Sequence, residues 1–142
     1  VKDWEYYLVP VSKEIYGDGI TPIEVMRILK NYSKHCYMLE SVDDTKRWSR
    51  YTFMGYKPKS EITCLNNIMN VDGEKFKVDH PGIYLKEILK KYRSPKVIGL
   101  PTFTGGLVGY FAYDYFKYSE PVLNLKNDDR EGFNDVDLML FD

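Results

Sequence analysis

A two-residue turn constrains the fold of this chain more than any other local feature. Asp72-Gly73 separates two short runs of alternating polar and apolar side chains, residues 68–71 and 75–78. Such alternation is typical of strands with one buried face. Asp-Gly also supplies the positive φ angles that a two-residue type I′ turn requires. The sequence therefore predicts a β-hairpin here and a fold that contains antiparallel sheet.

Two helices are predicted, and the first has clear capping chemistry. Thr21 suits the N-cap, Pro22 the first helical position, and Glu24 can return a hydrogen bond to the cap. Apolar residues recur at helical spacing as far as about Tyr32, and this stripe is expected to pack on a sheet. The same spacing predicts a second helix over about residues 81–92.

Strand-like runs account for most of the remaining chain. Beyond the hairpin, the predicted strands are residues 37–42, 50–56, 61–65, 97–98, 105–112 and 136–141. The sequence stops at Asp142, directly after the last of them. A strand in that position would leave unpaired backbone groups at the edge of a sheet if nothing covered it. We therefore expect this sequence to be a fragment.

Composition excludes several classes of function. The chain has 142 residues, enough for one hydrophobic core, and its 20 basic and 21 acidic residues leave a net charge of −1. This charge gives no reason to expect nucleic acid or an anionic membrane as a partner. No apolar run approaches the roughly 18 to 20 residues of a membrane helix. Cys36 and Cys64 lack disulfide or metal spacing, so a cytoplasmic location is expected.

The glycines at positions 105, 106 and 109 do not form a phosphate-binding loop. Neither the Walker pattern nor the dinucleotide pattern is present, and the chain continues into the strand-like residues 110–112. Glycine inside a strand marks the close approach of another backbone or of a ligand. The sequence leaves both interpretations open.

Glu40 is the residue for which the sequence most clearly indicates a ligand contact. Alternation along residues 37–42 places its carboxylate on the same face as two apolar side chains. The carboxylate needs a partner, which is either a salt bridge to Arg47 or Arg50 or the ammonium group of a ligand. In the second case the Ser41 hydroxyl, backbone amides or Arg50 would face a ligand carboxylate. A free amino acid presents that pair of charges.

Nothing else in the sequence resembles an active site. His35 and His80 lie at the ends of predicted elements, where capping or solvated roles are typical. No nucleophile has a base at recognisable spacing, and paired acids such as Asp43-Asp44 are typical of turns. The residues by themselves assign no catalytic group, no cofactor and no metal.

Three segments carry a resemblance to a known family: Leu39-Glu40-Ser41-Val42, residues 47–55 and residues 105–114. In this order they resemble the amino-terminal region of anthranilate synthase component I, a family of chorismate-utilising enzymes. The resemblance spans nearly the whole chain. It implies an α+β fold of orthogonally packed antiparallel β-sheets with flanking helices. Residues 1–142 would be a partial domain, the amino-terminal regulatory region without the catalytic part.

The resemblance also implies an activity for a longer parent protein. In the family, component I is a lyase of tryptophan biosynthesis that converts chorismate and ammonia to anthranilate and pyruvate. A glutamine amidotransferase partner, component II, delivers the ammonia. The carboxy-terminal part of the subunit binds chorismate and Mg²⁺ and carries the catalytic residues. Residues 1–142 alone are therefore expected to be inactive and to hold no cofactor.

For the site itself, the resemblance implies feedback inhibition by L-tryptophan. The family motif that lines this allosteric site matches Leu39, Glu40 and Ser41, and Arg50 matches a basic position beside it. Met38 stands where leucine is commoner, which is a mild change. Segments beyond Asp142 also contribute to the family's site. The ammonium and carboxylate contacts inferred from the bare residues agree with an amino acid ligand.

Three alternatives remain at this stage. The large subunit of aminodeoxychorismate synthase, in the folate pathway, shares the fold and the pocket, although residues 47–55 favour anthranilate synthase. The chain could instead be a stand-alone binding domain whose open sheet edge pairs with another protein. Finally, Glu40 and the glycines could serve packing only.

Overall fold

The structure is a computed structural model that describes residues 8–40, 51–101, 103–120, 122 and 131–142. Its helices are α1 (Pro22–Tyr32), α2 (Pro81–Lys91) and α3 (Phe116–Ser119), the last preceded by a 3-10 turn at Tyr113–Tyr115. Its strands are β1 (Cys36–Glu40), β2 (Thr52–Tyr56), β3 (Ser60–Leu65), β4 (Ile68–Val71), β5 (Glu74–Lys77), β6 (Gly106–Phe111) and β7 (Val136–Phe141). Among the described helices, none has the length and apolar character needed to cross a membrane. The predicted α+β class is confirmed.

The strands form two antiparallel sheets. Strands β1 and β2 pair as a small sheet, and the large sheet has the order β5-β4-β3-β7-β6. Strand β7 is hydrogen-bonded to β3 on one side and to β6 on the other. The expectation that the last strand would form an unpaired edge of the sheet is therefore wrong. The strand predicted at residues 97–98 is also wrong. The chain turns there and Ile98 is completely exposed, because a two-residue apolar run is too short to pair as a strand.

Two tight turns connect strands β3, β4 and β5. The predicted type I′ turn is confirmed, since Asp72 has φ 52° and Gly73 has φ 97°. A second turn of the same kind was not predicted. It lies at Asn66 and Asn67, with φ values of 48° and 66°, and asparagine is among the few residues that tolerate this region.

The hydrophobic core lies on one face of the large sheet, beneath α2 and α3. Its buried members are Ile62, Cys64, Met69, Leu85, Tyr118, Val136 and Leu138. Strand β7 alternates between buried and half-buried positions over most of its length, which is the pattern of a central strand with one fully covered face. Each large apolar side chain buried in this way contributes about 1.5–3 kcal/mol to folding.

The start of helix α1 has the predicted capping box. The backbone amide of Thr21 donates to Glu24 Oε2 at 2.8 Å, and the amide of Glu24 donates to Thr21 Oγ1 at 3.3 Å. The helix packs on β1 and β2 as expected from its apolar stripe. The stripe is only partly covered, because Ile28 and Tyr32 remain exposed.

A buried polar network joins the β3–β4 turn to α3 and to the start of β7. The Asp135 carboxylate, with 2% of the residue exposed, accepts from the Tyr118 hydroxyl at 2.7 Å. It also accepts from Lys117 Nζ at 2.7 Å and from the Asn66 amide at 2.9 Å. The Tyr118 oxygen in turn accepts from the Asn67 amide at 3.0 Å. Every member of the network thus has a hydrogen-bond partner, which is the condition for burying such groups without a large cost.

Alkaline pH is expected to weaken the fold through Tyr118. Burial raises the pKa of its hydroxyl well above the ordinary value, so the folded protein holds this proton more tightly than the unfolded chain does. The resulting stability is fully present below about pH 10, the pKa of an unfolded tyrosine, and is lost as the pH rises above it. Urea unfolding over a series from about pH 8 to about pH 11 should show this decline, with a shallower slope for Tyr118→Phe. Tyr16→Phe, at a fully exposed tyrosine, is the control, and equal slopes for Tyr118→Phe and wild type would contradict the assignment.

Candidate ligand-binding site

The two described site candidates, Leu39 and Glu40, lie at the end of strand β1. Leu39 pairs with Phe53 of β2, and Glu40 pairs with Thr52. Both candidates are exposed, and 45% of the Leu39 surface is accessible. Successive side chains of a strand face opposite sides, so the two belong to different faces of the small sheet.

The Glu40 carboxylate has an apolar neighbourhood, as predicted, but it is not buried. Met38 and Met54, which pair across the small sheet, are half-buried on the same face. Among the described residues, the carboxylate makes no hydrogen bond and no ion pair. Ser41, Arg47 and Arg50 lie outside the described residues. Both the ligand site and the alternative salt bridge therefore stay predictions.

Four aromatic rings join the small sheet to the large sheet, and we call them the four-ring cluster: Tyr37, Phe53, Phe103 and Phe141. The Tyr37 ring lies edge-on to Phe141, with 4.7 Å between centroids, and 6.3 Å from Phe103. Phe53 meets Phe103 at 5.6 Å with the ring planes at 84°. Edge-to-face pairs of this kind contribute about 0.5–1.5 kcal/mol each beyond their buried area.

A cleft of about 310 Å³ lies beside the four-ring cluster. Its walls come from both sheets and include all four rings together with Thr104 and Asp142. This volume falls at the lower end of the range for small-molecule sites. Neither Leu39 nor Glu40 lines the cleft. Strand β1 therefore contributes Tyr37 to the cleft but not the Glu40 carboxylate that is predicted to bind a ligand.

Sequence reasoning missed the four-ring cluster, although Gly55 carries a signal for it. Gly55 pairs with Tyr37, and a Cβ atom at position 55 would overlap the tyrosine ring, lying 2.9 Å from its Cζ atom. The missing side chain is what lets the ring lie across β2. A glycine opposite an aromatic residue is informative only when the strand register is known, and residues 37 and 55 are too far apart in sequence for the pattern to give that register.

Gly105, just before β6, and Gly109, within it, lie close to the backbone of β7. A Cβ atom at Gly109 would overlap the carbonyl oxygen of Asp137 and lie 2.9 Å from the Cα atom of Leu138. At Gly105 it would lie 2.9 Å from the carbonyl oxygen of Phe141. Of the two interpretations that the sequence left open, close approach of another backbone therefore holds at these positions.

The two histidines have local structural roles. His80 caps helix α2, as predicted for an element end, because its Nδ1 accepts from the Gly82 amide at 3.1 Å. His35 lies 3.2 Å from Glu61 Oε1, so when it is protonated it forms an ion pair between the segment before β1 and strand β3. The latter contact is a second link between the small sheet and the large sheet.

Comparisons with known proteins identify the family. No protein-family model matches the chain. Anthranilate synthase component 1 of Acetivibrio thermocellus is 33% identical over 129 residues, covering 88% of this chain and 26% of that protein. The protein of the same name from Pseudomonas aeruginosa is 34% identical over 143 residues, 96% of this chain and 29% of the relative. The protein of the same name from Aquifex aeolicus is 33% identical over 141 residues, which cover 96% of this chain and 28% of that protein. The chain spans less than a third of the length of these relatives, and over that span it belongs to the anthranilate synthase component 1 family.

Proposed function

We propose that residues 1–142 are the amino-terminal, tryptophan-feedback region of an anthranilate synthase component I. The observation that carries the proposal is the Glu40 carboxylate, exposed at the end of β1 without a partner among the described residues. It occurs in a segment, Leu39-Glu40-Ser41-Val42, that resembles the family's feedback motif. The names of the relatives support the choice of enzyme.

The chemistry of the proposed site follows from the two charges of an amino acid. The ligand ammonium donates to Glu40, while Ser41 and Arg50 face the ligand carboxylate. Leu39 belongs to the site through the family motif, but its side chain faces the other side of the small sheet. The apolar surface on the Glu40 face comes from Met38 and Met54. Tryptophan inhibits because it binds one state of the subunit more tightly than another, since a ligand with equal affinity for both states shifts neither.

The complete subunit, by this proposal, is a lyase of tryptophan biosynthesis in the cytoplasm. It converts chorismate and ammonia to anthranilate and pyruvate, and a glutamine amidotransferase subunit supplies the ammonia. By the same proposal, chorismate, Mg²⁺ and the catalytic residues belong to a part of the complete subunit outside residues 1–142. Within the described ranges no three His, Cys, Asp or Glu side chains come together as a metal site, so no residue here is assigned to Mg²⁺. Residues 1–142 alone should show no turnover.

Glu40→Ala in the complete subunit should largely abolish inhibition by L-tryptophan. A hydrogen bond to a charged group contributes about 1.5–3 kcal/mol, so the inhibition constant should rise at least about tenfold. Inhibition is measured as anthranilate fluorescence against tryptophan concentration, relative to the uninhibited rate of each variant. Glu74→Ala, at another exposed carboxylate at a strand end, is the matched control. An unchanged inhibition constant in Glu40→Ala would remove Glu40 from the site.

Analysis of the products that the complete subunit forms from chorismate and ammonia separates the alternatives. Formation of aminodeoxychorismate in place of anthranilate would support the folate-pathway enzyme. Absence of any chorismate turnover by the complete protein with ammonia would support a stand-alone binding domain. Turnover by purified residues 1–142 would overturn the division between regulatory and catalytic parts.

A further inference from the structure

We propose that Tyr37 is a positioning residue that couples ligand binding at the end of β1 to the packing of the small sheet on the large sheet. This inference rests on the proposed function and names the device by which the same site would regulate the subunit. Tyr37 lies on the strand that ends at Glu40, and its ring is the part of that strand that contacts Phe141 of the large sheet. At about 3.3 Å per residue, some 10 Å separates the two positions.

Strand β1 moves as one body with β2. Every residue of β1 is paired with a residue of β2, from Cys36 with Tyr56 to Glu40 with Thr52. Because the ladder runs from one end of β1 to the other, a displacement at the Glu40 end shifts the whole strand and Tyr37 with it. The Tyr37 ring is itself held in place because it fills the space that Gly55 leaves open. These two constraints make the ring an extension of the strand rather than an independent side chain.

The ring contacts between the two sheets favour discrete arrangements. Tyr37 on Phe141 and Phe53 on Phe103 are both edge-to-face pairs, so a shift of one sheet against the other must break and re-form both contacts. Packed interfaces of this kind switch between arrangements rather than deform continuously. The adjoining cleft of about 310 Å³ provides the space that a second arrangement of the rings requires.

Ligand binding then acts on this equilibrium. An amino acid held by Glu40 and the residues after it favours the position of β1 that suits its contacts. Since Tyr37 follows β1, the same ligand favours one packing of the four-ring cluster. A binding event at an exposed strand end is thereby converted into a change in how the two sheets meet.

The test measures coupling in the complete subunit. Calorimetry gives the dissociation constant of L-tryptophan with and without chorismate, in the absence of an ammonia source, and the ratio of the two is the coupling factor. We expect a wild-type factor of about 5 to 150, falling below about threefold in Tyr37→Ala. Tyr37→Phe keeps the ring and should restore the factor to within about twofold of wild type. A purely structural role would not give this pattern in the ratio, because it would change both dissociation constants together.

Gly55→Ala provides a second, independent variant. Its Cβ atom would overlap the Tyr37 ring and displace it, while Glu40 is untouched and the backbone at position 55 is not strained by a side chain. The coupling factor should fall as in Tyr37→Ala. Gly17→Ala, where a Cβ atom meets nothing within 4 Å, is the matched control. In a Tyr37→Ala background, Gly55→Ala should cause no further loss because no ring remains to be displaced.

The outcomes distinguish this inference from the proposed function. If wild type does not bind L-tryptophan, both proposals are overturned. If it binds L-tryptophan independently of chorismate, the coupling role of Tyr37 is overturned, and the inhibition assay still decides the proposed function. If wild type shows coupling and the factor is unchanged in Tyr37→Ala and Gly55→Ala, only the role of Tyr37 is overturned. Should Tyr37→Ala fail to fold, the comparison of Gly55→Ala with Gly17→Ala decides the matter.

Discussion

Gly109→Ala should lower the free energy of unfolding by at least about 4 kcal/mol. The new Cβ atom would overlap the carbonyl oxygen of Asp137, which belongs to a central strand and cannot move aside without breaking the sheet. Gly109 also has φ 154°, a conformation that residues with a side chain rarely adopt. To accept alanine, β6 would have to separate from β7 along their paired length. Urea unfolding of the variant measures this loss.

Gly106→Ala is the matched control for that prediction. Gly106 lies on the same strand and also has a positive φ of 139°, but the nearest atom to a Cβ there is Phe103 Cε2 at 3.7 Å. The substitution should therefore cost only the backbone strain, about 1–3 kcal/mol. Equal losses for the two variants would show that strain, and not the approach of the Asp137 backbone, dominates at Gly109.

Asp135→Ala should destabilise the protein by about 3 kcal/mol. The buried carboxylate is the acceptor for Tyr118, Lys117 and the Asn66 amide. Its removal leaves these donors without that acceptor, and each such loss at a buried donor costs about 1–3 kcal/mol. The Lys117 ammonium is partly exposed and can be resolvated, so its share of the loss is small. Urea unfolding at neutral pH is the measurement.

Two further variants help to interpret the loss of stability in Asp135→Ala. Asp135→Asn keeps an oxygen acceptor for Tyr118 but loses the charge, so its free energy of unfolding should lie between those of wild type and Asp135→Ala. Glu87→Ala removes a carboxylate from the exposed pair with Lys90 and should cost about 0.5 kcal/mol or less. A loss in Asp135→Ala no larger than that of Glu87→Ala would contradict the role assigned to the buried network.

Local chemistry explains which elements were predictable. The β4–β5 hairpin and the start of α1 follow from neighbouring residues, because turn angles and capping hydrogen bonds involve atoms only a few positions apart. Strand β7 was predicted with its observed bounds because the alternation of its side chains is also a local pattern. Its place between β3 and β6 was not predicted, since that depends on hydrogen bonds to distant parts of the chain.

The candidate site divides in the same way. The sequence pointed to Glu40 as a carboxylate on a partly apolar strand face and, through the family resemblance, to Leu39, Ser41 and Arg50 beside it. The structure added that Glu40 is exposed and that the nearby cleft is lined by Tyr37 and Phe53 but not by Leu39 or Glu40. No pattern within residues 37–42 reveals that arrangement, because it depends on which surface each face of the strand meets.

By itself, the sequence determined the turns, the helix caps, the period of each strand and the residues that resemble a known motif. Only the tertiary structure decided that the backbone of β7 approaches Gly105 and Gly109, that the Tyr37 ring lies over Gly55, and that strand β7 lies inside the sheet. The physical reason is the range of the forces involved. Turn and cap energies act between residues a few positions apart, whereas strand register and ring packing join residues that only the folded chain brings together.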